Sequence, residues 1–281
     1  MHEVGGIPDC SLINRDTSIQ SIIIKILGNY DSHDIDTSTP NTRYKVKNLG
    51  TWSSIEDVDN FLSKCNHSSG YYGATIGSYV TIKDGTYNKQ WVIAGFDCEY
   101  NYKILDVNGN NNNINDNGYG ICLIPKTSLG TPRWNNNPSN NSNGYYGSDI
   151  NKTTLPTVAN NLKKVLGNHL IERNVLLSNS MDDTHHTNGY VWTKAYCTLM
   201  STGQVTGTFG VNTNRYDDGE ANYKLPLFNY ETWSFDICAW LRGLNGKNIY
   251  CLTTSGNSEQ RASDTWVAGT IPGLRPLIYI R

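Results

Sequence analysis

The sequence predicts an α+β fold, with two helices packed on small antiparallel sheets and long Asn/Gly-rich loops between the elements. Three observations predict it. Two stretches carry an apolar stripe of helical period. Short apolar runs bounded by turn residues recur elsewhere, as strands do. Low-complexity polar segments at 108–118 and 130–148 separate them. The chain has 281 residues, enough to bury a substantial core in one large domain, or in a main domain with a small N-terminal piece.

The elements follow in order. Residues 1–50 read as an irregular extension or small accessory segment, with one strand at 21–27. Its apolar run is interrupted by Lys25 and falls far short of the ~20 residues that span a bilayer. The start lacks a basic stretch followed by an apolar one, so no signal peptide is expected. Ser53 is placed to cap a first helix, and Glu56, three residues on, to close a capping box. Ile55, Val58, Phe61 and Leu62 share one face, and the helix is expected to end near Cys65. Runs at 79–82 and 91–96 form a hairpin through Asp84-Gly85. Runs at 103–107 and 120–124 flank the Asn-rich loop and read as a second strand pair. The loop at 130–148 holds Trp134, Tyr145 and Tyr146 among Asn and Gly.

The second helix opens at Thr154-Leu155-Pro156, with Pro156 in the first turn where it lacks no needed donor. Leu155, Val158, Leu162, Val165 and Leu166 form its stripe, and Gly167 ends it. Residues 175–177, 190–192 and 226–228 read as short buried strands, and 277–280 as the terminal strand.

Composition narrows the partners. Net charge is -2 and charged residues make up 17%, which points to neither a nucleic-acid nor an anionic-membrane partner. Mean hydropathy is -0.50, and the 18 Tyr make this a polar, aromatic-decorated globular chain. Seven Cys stand at 10, 65, 98, 122, 197, 238 and 251. Their odd number and the lack of Cys-x-x-Cys favour reduced, partly buried thiols. The alternative is one disulfide, with Cys238–Cys251 the first pair to consider. No Cys or His pair has zinc spacing, and no cofactor is expected.

The polar clusters read more simply as turns than as chemistry. Asp106-Val107-Asn108-Gly109-Asn110 starts like a calcium loop, but Asn111 replaces the turn glycine and Asn117 the closing Glu. Asp217, Asp218 and Glu220 are weak metal candidates, set against a turn whose carboxylates accept backbone hydrogen bonds. Asp182, Asp183, His185 and His186 are neighbours in sequence, which does not make them an acid–base pair. Cys197 lies in an apolar setting that favours an inert thiol. No nucleophile elbow, phosphate loop or dinucleotide fingerprint occurs.

The C-terminus has a different texture. Two apolar anchors, Ala239-Trp240-Leu241-Arg242-Gly243 and Gly273-Leu274-Arg275-Pro276-Leu277-Ile278-Tyr279-Ile280-Arg281, read as buried strand. Between them, residues 244–258 show no helix or strand period and read as an exposed binding loop rich in Asn, Ser, Thr, Tyr and Gly. Such residues build adaptable contact surfaces on rigid frames.

These motifs, with Gln90-Trp91-Val92-Ile93-Ala94-Gly95-Phe96-Asp97, Gly118-Tyr119-Gly120-Ile121-Cys122-Leu123-Ile124-Pro125 and Tyr216-Asp217-Asp218-Gly219-Glu220, resemble the retroelement-diversified variable proteins. The likeness is greatest to the gut-phage receptor-binding type and covers roughly residues 51–281. It implies a C-type-lectin-like ligand-binding domain with a variable region at about 231–281. It also implies a non-enzymatic receptor-binding protein at a phage tail tip, made in the bacterial cytoplasm, or otherwise at a bacterial cell surface. The implied partner is a bacterial surface protein or glycan, and the implied state a homo-oligomer, taken as a trimer, in a virion. Adenine mutagenesis of Asn-type codons can reach Phe235, Asp236, Asn245, Asn248, Tyr250, Thr253, Thr254, Ser255, Asn257, Arg261, Ser263 and Thr265, the expected ligand-binding set. Trp240, Arg242 and Arg275 are expected to be scaffold: the Trp filling core, the arginines hydrogen-bonding loop carbonyls. Two other readings stay open. One is an enzyme, formylglycine-generating-like through Cys238 and Cys251 or carbohydrate-modifying through the Asp182–His186 cluster. The other is a purely structural virion protein.

Overall fold

The computed structural model describes residues 46–66, 70–71, 73–96, 104–105, 111–112, 120–135, 142–181, 187–206, 224–229, 238–245, 248–252, 258–262 and 272–281. Few helices and several small sheets make it α+β. The expected strand at 21–27 lies outside the described residues.

Strand β1 (Asn48–Trp52) straddles the expected boundary at residue 50 and leads into helix α1 (Ile55–Leu62). The cap sits one residue later than the sequence reading had it. The Ser54 hydroxyl accepts the Asp57 N–H, and the Asp57 carboxylate accepts the N–H groups of Ser53 at 2.7 Å and Ser54 at 3.0 Å. Buried Trp52 still belongs to the strand, so the chain turns at Ser53 and the box closes on Asp57 rather than Glu56. The hydrogen bond from the Ser53 backbone, foremost among several, holds the Asp57 carboxyl below its ordinary value. Val58 and Phe61 are buried, while Ile55 is exposed. The helix stops at Leu62, before Cys65, because Cys65 pairs with Tyr71 across β2 (Cys65–Asn66) and β3 (Gly70–Tyr71).

The hairpin of β4 (Tyr79–Ile82) and β5 (Lys89–Phe96) forms as expected. The Asp84 carboxylate fixes its turn by accepting the N–H groups of Thr86, Tyr87 and Asn88. The second expected pair does not form. β6 (Ile104–Leu105) pairs with β7 (Asn111–Asn112) inside the Asn-rich segment, and β8 (Ile121–Pro125) pairs with β5. All five β8 residues are buried, so β8 belongs inside the main sheet and not at the end of a polar hairpin.

A π-helical turn at Ile150–Thr154 leads into α2 (Leu155–Leu166), whose expected stripe is buried throughout. Gly167 ends it at φ +54, and a Cβ there would meet the Ile55 side chain at 2.8 Å, so α1 and α2 touch at this point. The runs at 175–177 and 190–192 belong to a longer hairpin, β9 (Arg173–Met181) and β10 (Thr187–Ala195). β11 (Thr198–Leu199) and the short α3 (Thr202–Thr206) follow. The expected strand at 226–228 is instead a 3-10 turn, Pro226–Asn229. Pro226 has no N–H for a ladder and suits a turn, and the Phe228 N–H bonds back to the Leu225 carbonyl.

Strands β12 (Ala239–Asn245), β13 (Asn248–Leu252) and β14 (Ser258–Ala262) form a separate antiparallel sheet. The terminal β15 (Pro276–Ile280) completes the main sheet, in the order β1-β4-β5-β8-β15-β11. Only the β1–β4 pair is parallel among these. The C-terminus is thus an inner strand, and every β15 residue is buried.

Candidate functional site

The two C-terminal anchors lie side by side. Ala239 forms a parallel bridge with Gly273, the Trp240 N–H donates to the Gly273 carbonyl at 3.1 Å, and the Gly273 N–H donates to the Cys238 carbonyl at 2.6 Å. The strip is tied further to the chain at 129–130, with Leu129 donating to Leu274 and Leu274 to Gly130. Backbone hydrogen bonds therefore define this frame before any side chain is considered.

Trp240 is 2% exposed, and its indole N–H donates to the Pro132 carbonyl at 3.0 Å. Its ring meets Trp134 edge-on at 6.1 Å between centroids, and Trp134 lies 5.3 Å from Tyr145. The Tyr145 hydroxyl accepts the Leu199 N–H at 2.9 Å. The Gly130–Ser148 region, read from sequence as a polar loop, thus supplies a buried aromatic chain to the frame. Its Asn and Gly content hid two core side chains, Trp134 and Tyr145; Tyr146 stays exposed.

Arg242 and Arg275 are wholly buried. Arg275 donates from Nη1 to the carbonyls of Pro125 and Lys126, at 2.5 and 2.6 Å. The backbone N–H of Arg242 donates to the Met200 carbonyl at 3.0 Å, binding β12 to the segment after β11.

The stretch between the anchors is more regular than its sequence suggested. β13 pairs with β12 on one side and β14 on the other, and Ile249, Cys251 and Leu252 are fully buried. The expectation of an unpaired loop across 244–258 is corrected at 244–245, 248–252 and 258, which are paired strand; residues 246–247 and 253–257 lie outside the described residues. A strand signal was present: Ile249-Tyr250-Cys251-Leu252 is the kind of β-branched and aromatic run that suits a pleated, half-buried surface. The ladder brings four of the expected ligand-binding positions onto one small sheet. Asn245 pairs with Asn248, Tyr250 with Gln260 and Ile249 with Arg261. Phe235, Asp236, Thr253, Thr254, Ser255, Asn257, Ser263 and Thr265 lie outside the described residues. So do Asp217, Asp218 and Glu220, the Asp182–His186 cluster and residues 106–110.

The same register removes the Cys238–Cys251 disulfide. Trp240, not Cys238, stands opposite Cys251, and Cys65, Cys122, Cys197, Cys238 and Cys251 all carry thiols. Burial pushes the Cys197 thiol up to about 12 against the pull of Arg173 and Lys163, and the Cys65 thiol up to about 11. Both are neutral and poorly nucleophilic at physiological pH. Among the described residues, no three His, Cys, Asp or Glu side chains converge as a metal site would need. None of the described helices is long and apolar enough to cross a membrane.

No family model, curated protein or solved structure matches this chain. A buried aromatic and arginine frame carries a three-stranded sheet, and the segments beyond β12, β13 and β14 are rich in Asn, Ser, Thr and Gly.

Proposed function

We propose that this chain is a non-enzymatic receptor-binding protein with a C-type-lectin-like domain, diversified in its C-terminal region and carried as a homo-oligomer at a phage tail tip. It recognises a bacterial surface protein or glycan through Asn245, Asn248, Tyr250, Arg261 and the polar residues of 253–257 and 263–265. The observation that supports this reading is the division of labour within residues 238–281. Trp240, Leu241, Ile249, Cys251, Leu252 and Leu274 are all buried, whereas the diversifiable residue types occupy positions between them. A surface that changes from copy to copy needs a frame whose stability does not depend on what is displayed.

Binding of the purified 281-residue chain to a panel of bacterial cells and isolated surface glycans tests the reading. The triple variant Tyr250→Ala/Thr253→Ala/Asn257→Ala is expected to lose binding while retaining its circular dichroism spectrum and cooperative melt. Undiminished binding by that variant would overturn the site assignment.

A further inference from the structure

Away from the C-terminal sheet, the π-helical turn, one side of α2 and the end of β10 line a groove of about 330 Å³. Three lysines line it, Lys152, Lys163 and Lys194, and none of its described lining residues is acidic. This concentration of positive charge stands out on a chain whose net charge is -2. Two of the ammonium groups lie over aromatic rings. Lys163 Nζ lies 3.4 Å from the centroid of the Tyr196 ring and Lys152 Nζ lies 5.8 Å from that of Tyr146. A cation so placed gives up less rotamer freedom when a ligand arrives.

We infer that this groove binds a carboxylated saccharide. Leu155, Pro156, Ala159 and Ala195 give it an apolar lining that suits the C–H face of a sugar ring. Asn151, Asn160 and Thr193 also line it. An amide both donates and accepts, as a hydroxyl does, so these side chains match a polyhydroxylated ring better than an aliphatic or purely anionic ligand. The lysines then take the carboxylate. The volume lies at the low end of the roughly 300–1,000 Å³ usual for small-molecule sites, which limits the occupant to a monosaccharide or disaccharide unit. None of these residues falls within 231–281, so the inference does not depend on the function proposed for the C-terminal sheet.

The test is isothermal titration of the full chain with digalacturonate, with galactobiose as the neutral counterpart and short polyglutamate as a non-sugar anion. Saturable digalacturonate binding is expected, weaker at high salt because exposed charges are screened, and exceeding that of both comparison ligands. Lys152→Ala/Lys194→Ala, at two exposed positions, is expected to weaken it about tenfold or more without lowering the melting temperature. Asn160→Ala, which leaves the charge unchanged, is expected to weaken digalacturonate about threefold, consistent with one lost hydrogen bond, and to leave polyglutamate unaffected. Absence of saturable digalacturonate binding would overturn the inference. So would equal binding of polyglutamate with no effect of Asn160→Ala, since the groove would then be a cationic patch only.

Discussion

Replacing Trp240 with Ala probes the frame at its centre. The side chain is 2% exposed, so nearly all of its surface is removed from water in the folded state. Truncating a buried Trp costs roughly 3–5 kcal/mol in transfer and cavity terms. The edge-on contact with Trp134 contributes to that loss at about 0.5–1.5 kcal/mol beyond simple burial. The Pro132 carbonyl also loses its indole donor, at about 1 kcal/mol. These contributions overlap, and a total of about 4–5 kcal/mol is expected. At roughly 2–4 °C per kcal/mol for a chain of this size class, the melting temperature should fall by about 8–20 °C. Trp240→Phe, which keeps much of the ring but not the donor, should lose less than half as much. Thr254→Ala, in the segment proposed for display, should stay within about 0.5 kcal/mol. Chemical denaturation followed by circular dichroism measures all three. A Trp240→Ala protein within 1 kcal/mol of the parent, or a Thr254→Ala protein as unstable as Trp240→Ala, would refute the separation of frame from display.

Other expectations follow from single contacts. Leu252→Ala, at the fully buried end of β13, should cost about 2–5 kcal/mol by the same denaturation assay. Gly144→Ala should destabilise by on the order of 1–3 kcal/mol, because φ is +59 and a Cβ would lie 2.5 Å from the Ser178 carbonyl oxygen. A neutral Gly144→Ala melt would show that the chain here can shift away from β9. Cys197 should resist iodoacetamide at pH 8 in the native protein and react on unfolding, read by mass spectrometry. Its folded value of about 12 exceeds the ordinary 9. The folded state therefore holds a proton that the unfolded state gives up between those pH values, so stability is complete below pH 9 and declines toward 12. Cys197→Ala should flatten that alkaline decline; an unchanged slope would remove Cys197 as its source.

Periodicity made the helices and the first hairpin legible. The α2 stripe, with Pro156 early and Gly167 at the end, states the element almost completely in local terms. The first cap slipped by one residue because Ser53 and Ser54 are both chemically able to cap, and the choice between them is made by Trp52, which stays in β1. The pairing of 103–107 with 120–124 fails for a related reason. Sequence marks which residues favour strands, but β8 took its partners from β5 and β15, the latter more than 150 residues further on.

The candidate site divides along the same line. Its anchors were legible because Trp240, Arg242 and Arg275 stand in compact apolar motifs whose burial the composition already implied. The strand character of 248–252 and the burial of Trp134 and Tyr145 were not, because Asn- and Gly-rich surroundings imitate a solvated loop. The lysine groove was invisible for a stronger reason: Lys152 and Lys163 come from one helical segment, and Lys194 from a strand further along the chain. By itself the sequence determined the helices, the α+β class and the apolar anchors, since these follow from local propensity and the period of burial. Tertiary structure alone decided which strands became neighbours, which polar-loop aromatics entered the core and where the lysines converged. Those outcomes depend on contacts between distant residues, whose energies no local pattern encodes.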